Sequence, residues 1–240
     1  MALAACTLIE GDFAAVWQPV AQGVPCREAL RYACAFIALA GGAGLLWRRA
    51  AAAAARGVLG LFLLWLLLVK VPAIIRAPAV AVSYESAGET AVIVAGALVL
   101  YAWFAADQDR RRLRCASALH ALGLARVLFA LALLAFGLSH FAYVQETASL
   151  VPRWLPAHPA LAYVTGVAYL AAGAAVLSGR LAALAAALSA VQMGLFTALV
   201  WAPVIAAGAA QRDEFVISWT LTAAAWLVAD SYRSPSPTAR

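Results

Sequence analysis

Seven apolar runs, each near the length of a bilayer-spanning helix, recur along this chain with short polar breaks between them. They cover about 29–47, 57–75, 87–105, 118–139, 160–178, 182–203 and 214–230. A hydrocarbon core about 30 Å thick is crossed by roughly 20 helical residues. The solvent these runs face follows from composition. Of 240 residues 66% are hydrophobic and 12% charged, with a mean hydropathy of +0.90, against about 45–50% apolar and about 25% charged in soluble domains. In lipid each run must close its own backbone hydrogen bonds, which makes it a helix. The expected fold is an all-α polytopic transmembrane bundle of about seven helices with the lipid bilayer as its main partner.

The basic residues set the expected orientation. Arg48, Arg49 and Arg56 fill the first break, Arg110, Arg111, Arg112 and Arg114 the third, Arg180 the fifth, and Arg233 and Arg240 follow the last run. If the chain alternates, all of these fall on one side, which the positive-inside bias makes cytoplasmic. The expected location is a bacterial inner membrane, with the N-terminus outside and the C-terminus cytoplasmic. The net charge of +6 is thereby explained without nucleic acid, since no basic face tracks a phosphate backbone. The implied organisation is an extracytoplasmic tail or lid at 1–26, three helices at 27–106, an Arg-rich cytoplasmic loop at 107–117, four helices at 118–230 and a cytoplasmic tail at 231–240.

Tyr32 to Pro72 lies over Tyr163 to Pro203 without a gap, at an offset of 163 minus 32, or 131. Tyr32 pairs with Tyr163, Gly42 with Gly173, Arg49 with Arg180 and Pro72 with Pro203. Ala and Leu matches are cheap in such a chain, whereas Tyr, Gly, Arg and Pro in register are not. Upstream, Trp17-Gln18-Pro19 echoes Trp154-Leu155-Pro156. These matches predict two unequal parallel repeats, three helices and then four, related by an axis near the membrane normal.

Polar residues inside or beside apolar runs mark where chemistry can sit. Gln192 lies in the middle of the sixth run and must face a partner helix or cavity, because it cannot reach water alone. Glu89 opens the third run, where a boundary salt bridge to Arg31 or Lys70 would lower its cost, and snorkelling accounts for those two cations. The densest polar passage leaves the fourth run: His140, Tyr143 and Glu146 are spaced to share a helical face, followed by Trp154 between two prolines and then His158. Amphipathic rings at that depth also suit a plain interfacial belt. Cys6, Cys26, Cys34 and Cys115 form no metal-spaced cluster; a Cys6–Cys26 disulfide and unpaired thiols are both open. No phosphate loop or nucleophilic triad is visible.

Phe136-Gly137-Leu138-Ser139-His140-Phe141 and Tyr143, followed by Leu150-Val151-Pro152, Trp154-Leu155-Pro156 and Tyr163, resemble the DoxX-like membrane protein family. The resemblance is strongest over about 126–230 and reaches the first half only through the repeat. It implies a four-helix unit, and most members have no established activity. Some relatives are subunits of quinone-linked oxidoreductases such as thiosulfate:quinone oxidoreductase. That implies a redox reading in which His140 and Tyr143 hold a quinone carbonyl and Glu146 or His158 exchanges protons, with electrons passing to a redox partner subunit. No cofactor motif is evident and a quinone is the one cofactor suggested. A structural or assembly protein and a small-molecule transporter are the alternatives, and whether the chain is an enzyme is left open.

Overall fold

The computed structural model describes residues 1–13, 17–18, 20, 23–113, 118–208 and 212–233. All regular secondary structure among the described residues is helical. Five helices are long and apolar enough to cross a membrane: α3 (Ala51–Arg76), α4 (Ala81–Phe104), α6 (Ala118–Ala142), α8 (His158–Ser178) and α9 (Ala182–Ala206). Two more, α2 (Arg27–Leu45) and α10 (Arg212–Asp230), stand where the first and seventh spans are expected. Each has 19 residues, enough for about 28 Å at 1.5 Å per residue. Charged first turns, Arg27 and Glu28 in one and Arg212, Asp213 and Glu214 in the other, reduce their hydropathy. The short helices α1 (Ala2–Glu10), α5 (Ala106–Leu113) and α7 (Val144–Leu150) complete the chain.

Helix α4 is the centre of the bundle and packs on α3, α6 and α10. Its apolar stretch is buried on nearly every side, whereas α3 and α8 turn Leu64, Leu68, Val164 and Val167 outward. So much outward Leu and Val suits lipid, not water. The chain has the build of an integral membrane protein. Where helices touch, small residues let backbones meet, the packing that bilayers favour. A Cβ on Gly137 would lie 2.6 Å from Leu170 Cγ and 2.9 Å from the Gly166 carbonyl oxygen. One on Gly96 would lie 2.9 Å from Ala224 Cβ.

Helices α3 and α9 each contain one wide π-helical turn, at Leu66–Lys70 and Thr197–Trp201. Both precede a proline, Pro72 and Pro203. A proline inside a helix lacks the N–H and crowds the carbonyl four residues back, and a locally widened turn accommodates both defects. The two turns are 131 residues apart, the offset of the sequence match. The same separation holds between the starts of α2 and α8, of α3 and α9, and of α4 and α10. It also holds between Cys26 and Ala157, both left-handed with φ 54.

Two segments differ from the sequence expectation. Residues 1–26, expected as a tail or lid outside the membrane core, carry α1, which packs on α2 and buries Leu3 and Ala4. Phe13 and Trp17 are fully buried as well. The expected loop at 107–117 is helical as far as Leu113. Its Asp109 accepts from Arg56 at 2.7 and 3.0 Å, joining α5 to the start of α3. Cys115 and Arg240 lie outside the described residues.

Candidate functional site

A cavity of about 680 Å³ opens between α4, α6, α8, α9 and α10, with α7 and the following loop along one side. Most of its wall is apolar, including Leu150, Leu161, Leu199 and Phe196. Its polar side chains include Glu85 and Glu89 from α4, His140 from α6, Tyr169 from α8, Gln192 from α9 and Glu214 from α10, with Thr147, Thr165 and Ser218 also at the wall. No Lys or Arg lines it among the described residues. A mostly apolar cleft with a few convergent polar groups is the usual form of a small-molecule site.

Local structure aims these groups. His140 is in the last turn of α6, and its Nδ1 lies 2.8 Å from the Phe136 carbonyl oxygen. A carbonyl only accepts, so Nδ1 carries the hydrogen and Nε2 is left as the acceptor. The imidazole packs edge-on against Tyr169 at 5.4 Å between ring centres, and Phe136 meets the same ring at 5.8 Å. Tyr169 is 7% exposed, and the Gln192 side chain stands beside its hydroxyl. The Gln192 amide donates to the Thr165 carbonyl at 3.4 Å. Ser139 of α6 stands beside Glu85. Glu214 sits in the first turn of α10, where unpaired backbone N–H groups favour an acid. Behind Ser218, which faces the cavity, Thr197 Oγ1 lies 2.6 Å from Ser218 Oγ and 3.2 Å from Thr222 Oγ1.

The residues expected to form the site are divided by this geometry. His140, Glu89 and Gln192 line the cavity. Tyr143, Glu146, Trp154 and His158 do not. A shared face for His140, Tyr143 and Glu146 requires an unbroken helix, but Tyr143 has φ −121 and ψ 46, which ends α6 before α7 begins. Its hydroxyl instead accepts from the Val82 N–H at 3.4 Å. Glu146 is exposed on α7, Trp154 is 71% exposed, and His158 is half-buried at the first position of α8.

The expected salt bridge to Glu89 is also redirected. Arg31 pairs with Glu28 at 3.1 Å and covers the Tyr32 ring at 4.5 Å. Lys70, 1% exposed, does not snorkel; it donates to the Gln18 carbonyl and, at 2.6 Å, to Ser86 Oγ. Glu89 is thereby left facing the cavity.

Tyr169, Glu85 and Glu214 were not singled out from sequence. Glu85 could have been, because it precedes Glu89 by one helical turn and must share its face. Tyr169 gives no such signal, since an aromatic within an apolar run reads as packing.

A protein-family model described as a domain of unknown function (DUF8561) matches residues 129–230, a little under half of the chain. No curated protein and no solved structure matches. The matched region holds every residue lining the cavity except Glu85 and Glu89.

Proposed function

We propose that this protein binds a lipophilic quinol in the membrane cavity and that the two electrons of its oxidation to the quinone pass to a redox partner subunit. The observation that carries this reading is the composition of the cavity: an apolar chamber at whose wall His140 Nε2, the Tyr169–Gln192 pair and three carboxyl groups converge. A quinol needs such a place, because its ring and tail want apolar surroundings while its two hydroxyls need acceptors. Oxidation releases two protons and two electrons. His140 Nε2 and the carboxyl groups are positioned to take the protons, and the partner subunit takes the electrons. His140 keeps the role it has in the sequence reading, while Tyr169 and Gln192 replace Tyr143, and Glu85, Glu89 and Glu214 replace Glu146 and His158.

The architecture behind this site is a duplication. Equal helix starts, equal π-helical turns and the paired left-handed residues at one offset support it. So does α1, which packs on α2 as α6 packs on α8. Met1 lies against Gly42, and Leu134 of α6 lies against the paired Gly173. Helix α1 is thus a shortened first helix, and the two units are both four-helical in plan. All seven long helices cross the bilayer, with the Arg-rich ends cytoplasmic, and the second unit is DoxX-like. A transporter is the second reading, favoured by the one fact that α4 of the first unit and Gln192 of the second share the cavity.

Titration of the detergent-purified protein with a quinol analogue tests the proposal. We expect one saturable site, weakened at least tenfold in His140→Ala and Gln192→Leu and unchanged in Glu146→Gln. Absence of saturable binding, or equal affinity in all four proteins, rules it out.

A further inference from the structure

The duplication places a counterpart of the cavity in the first unit, and there the space is taken by the chain itself. At the shared offset Met193 corresponds to Phe62, Phe196 to Trp65 and Trp201 to Lys70. In the first unit these residues surround the N-terminal segment. The Trp17 ring, 0% exposed, packs 6.2 Å from Phe62 and 6.2 Å from Trp65. Phe13 lies 5.7 Å from Trp65. The Trp65 indole N–H donates to the Trp17 carbonyl at 2.9 Å, and Lys70 donates to the Gln18 carbonyl.

A second difference between the units agrees. The neighbouring polar pair Tyr169 and Gln192, both at the cavity wall, corresponds to Ala38 and Leu61. Losing one partner would strand the other as an unsatisfied buried polar group, which is more costly than losing both. Both positions are apolar in the first unit, so that neither side chain demands a polar partner, and Ala38 is much smaller than Tyr169.

We propose that the first unit is a ligand site closed from within by Phe13 and Trp17, so that the protein has one open site, and that this plug displays the class of molecule the open site takes. That class is a planar, two-ring aromatic, because the plug presents an indole between the aromatic walls of Phe62 and Trp65. This rests on the duplication and ligand reading above and narrows the ligand to a naphthoquinone-sized head.

Equilibrium dialysis of the full-length protein in micelles against unsubstituted 1,4-naphthoquinone measures the stoichiometry. Wild type is expected to bind one equivalent, Trp17→Ala two, and Trp17→Ala with Gln192→Leu one. One equivalent in both wild type and a monodisperse Trp17→Ala overturns the plugged-site inference and leaves the proposed function standing. No binding in wild type but one equivalent in Trp17→Ala supports the plug and removes the proposed function. No binding in either removes both. Should Trp17→Ala not yield a monodisperse species, Trp17→Leu is read with the one-ring 1,4-benzoquinone and the same outcomes apply.

Discussion

The contact between α6 and α8 rests on Gly137 and Gly166, and adding one methyl group to either should weaken the bundle measurably. At Gly137 the new carbon would meet Leu170 Cγ at 2.6 Å, Leu170 Cδ2 at 2.8 Å and the Gly166 carbonyl oxygen at 2.9 Å. Leu170 can turn aside. The Gly166 oxygen is backbone and cannot, so the helices must separate. At Gly166 the new carbon would meet His140 Cβ at 2.9 Å and the Gly137 oxygen at 3.2 Å. Overpacking of this kind costs about 1–3 kcal/mol. Against it stands the better helix propensity of Ala, about 0.5–1 kcal/mol. That gain shrinks where the unfolded chain stays helical in the micelle, since the backbone is then ordered in both states. Gly123→Ala supplies the control, because it lies in the same helix and nothing comes within 4 Å of its added carbon. In denaturant unfolding from detergent micelles we therefore expect Gly137→Ala to lose about 1–2 kcal/mol and Gly123→Ala to lose nothing. Gly166→Ala should also weaken the proposed quinol binding, because its added carbon crowds His140 Cβ. Stabilities for Gly137→Ala and Gly123→Ala within ~0.5 kcal/mol of each other, the scatter of featureless positions, would refute the argument that these backbones are in contact.

Two further outcomes follow from the N-terminal segment and the Arg clusters. The Asp12 carboxyl accepts from the Phe13 N–H at 2.7 Å and from Arg27 at 2.6 Å, which together hold it below the ordinary aspartate range. A depressed folded-state value gives stability that is present above that range and lost as pH falls through it. The indole fluorescence of Trp17, isolated by comparison with Trp17→Phe, should therefore shift on acidification in wild type and stay flat in Asp12→Asn; because Asp12 is half exposed the effect is small, and identical profiles would remove the link. For the topology, cysteines placed at Arg49 and Arg153 in a background lacking native cysteines should react with an impermeant maleimide from opposite sides of the membrane. Labelling from the same side would overturn the proposed orientation.

The helix positions were legible because lipid leaves the backbone no other option, so the length of each apolar run nearly fixes the element. The first and last runs show where this logic thins. Their charged opening turns make α2 and α10 ambiguous by hydropathy, yet both are helical over the expected residues. Within the site, His140, Glu89 and Gln192 were legible as polar groups interrupting apolar sequence. The break at Tyr143 was not, because no Gly or Pro marks residues 138–150. The Tyr143 hydroxyl contact with Val82 spans 61 residues and leaves no trace in a local pattern.

The N-terminal segment carries the larger lesson. Phe13 and Trp17 sit among Glu10, Asp12 and Pro19, a composition that reads as a surface lid. Their burial becomes intelligible only against Phe62 and Trp65, roughly 50 residues on. A repeat seen in sequence gives two copies of a frame. It does not say whether both copies remain sites, since that turns on what fills each one. In the proposed duplication, apolar residues at Ala38 and Leu61 and an indole at Trp65 accompany the filled copy, while Tyr169, Gln192 and Phe196 accompany the open one. The differences between the halves therefore tell more about function than their likeness. Where paired positions agree, as at Gly42 and Gly173, both lie against a neighbouring helix; where they diverge, the proposed duplication assigns them to a closed and an open copy of one pocket.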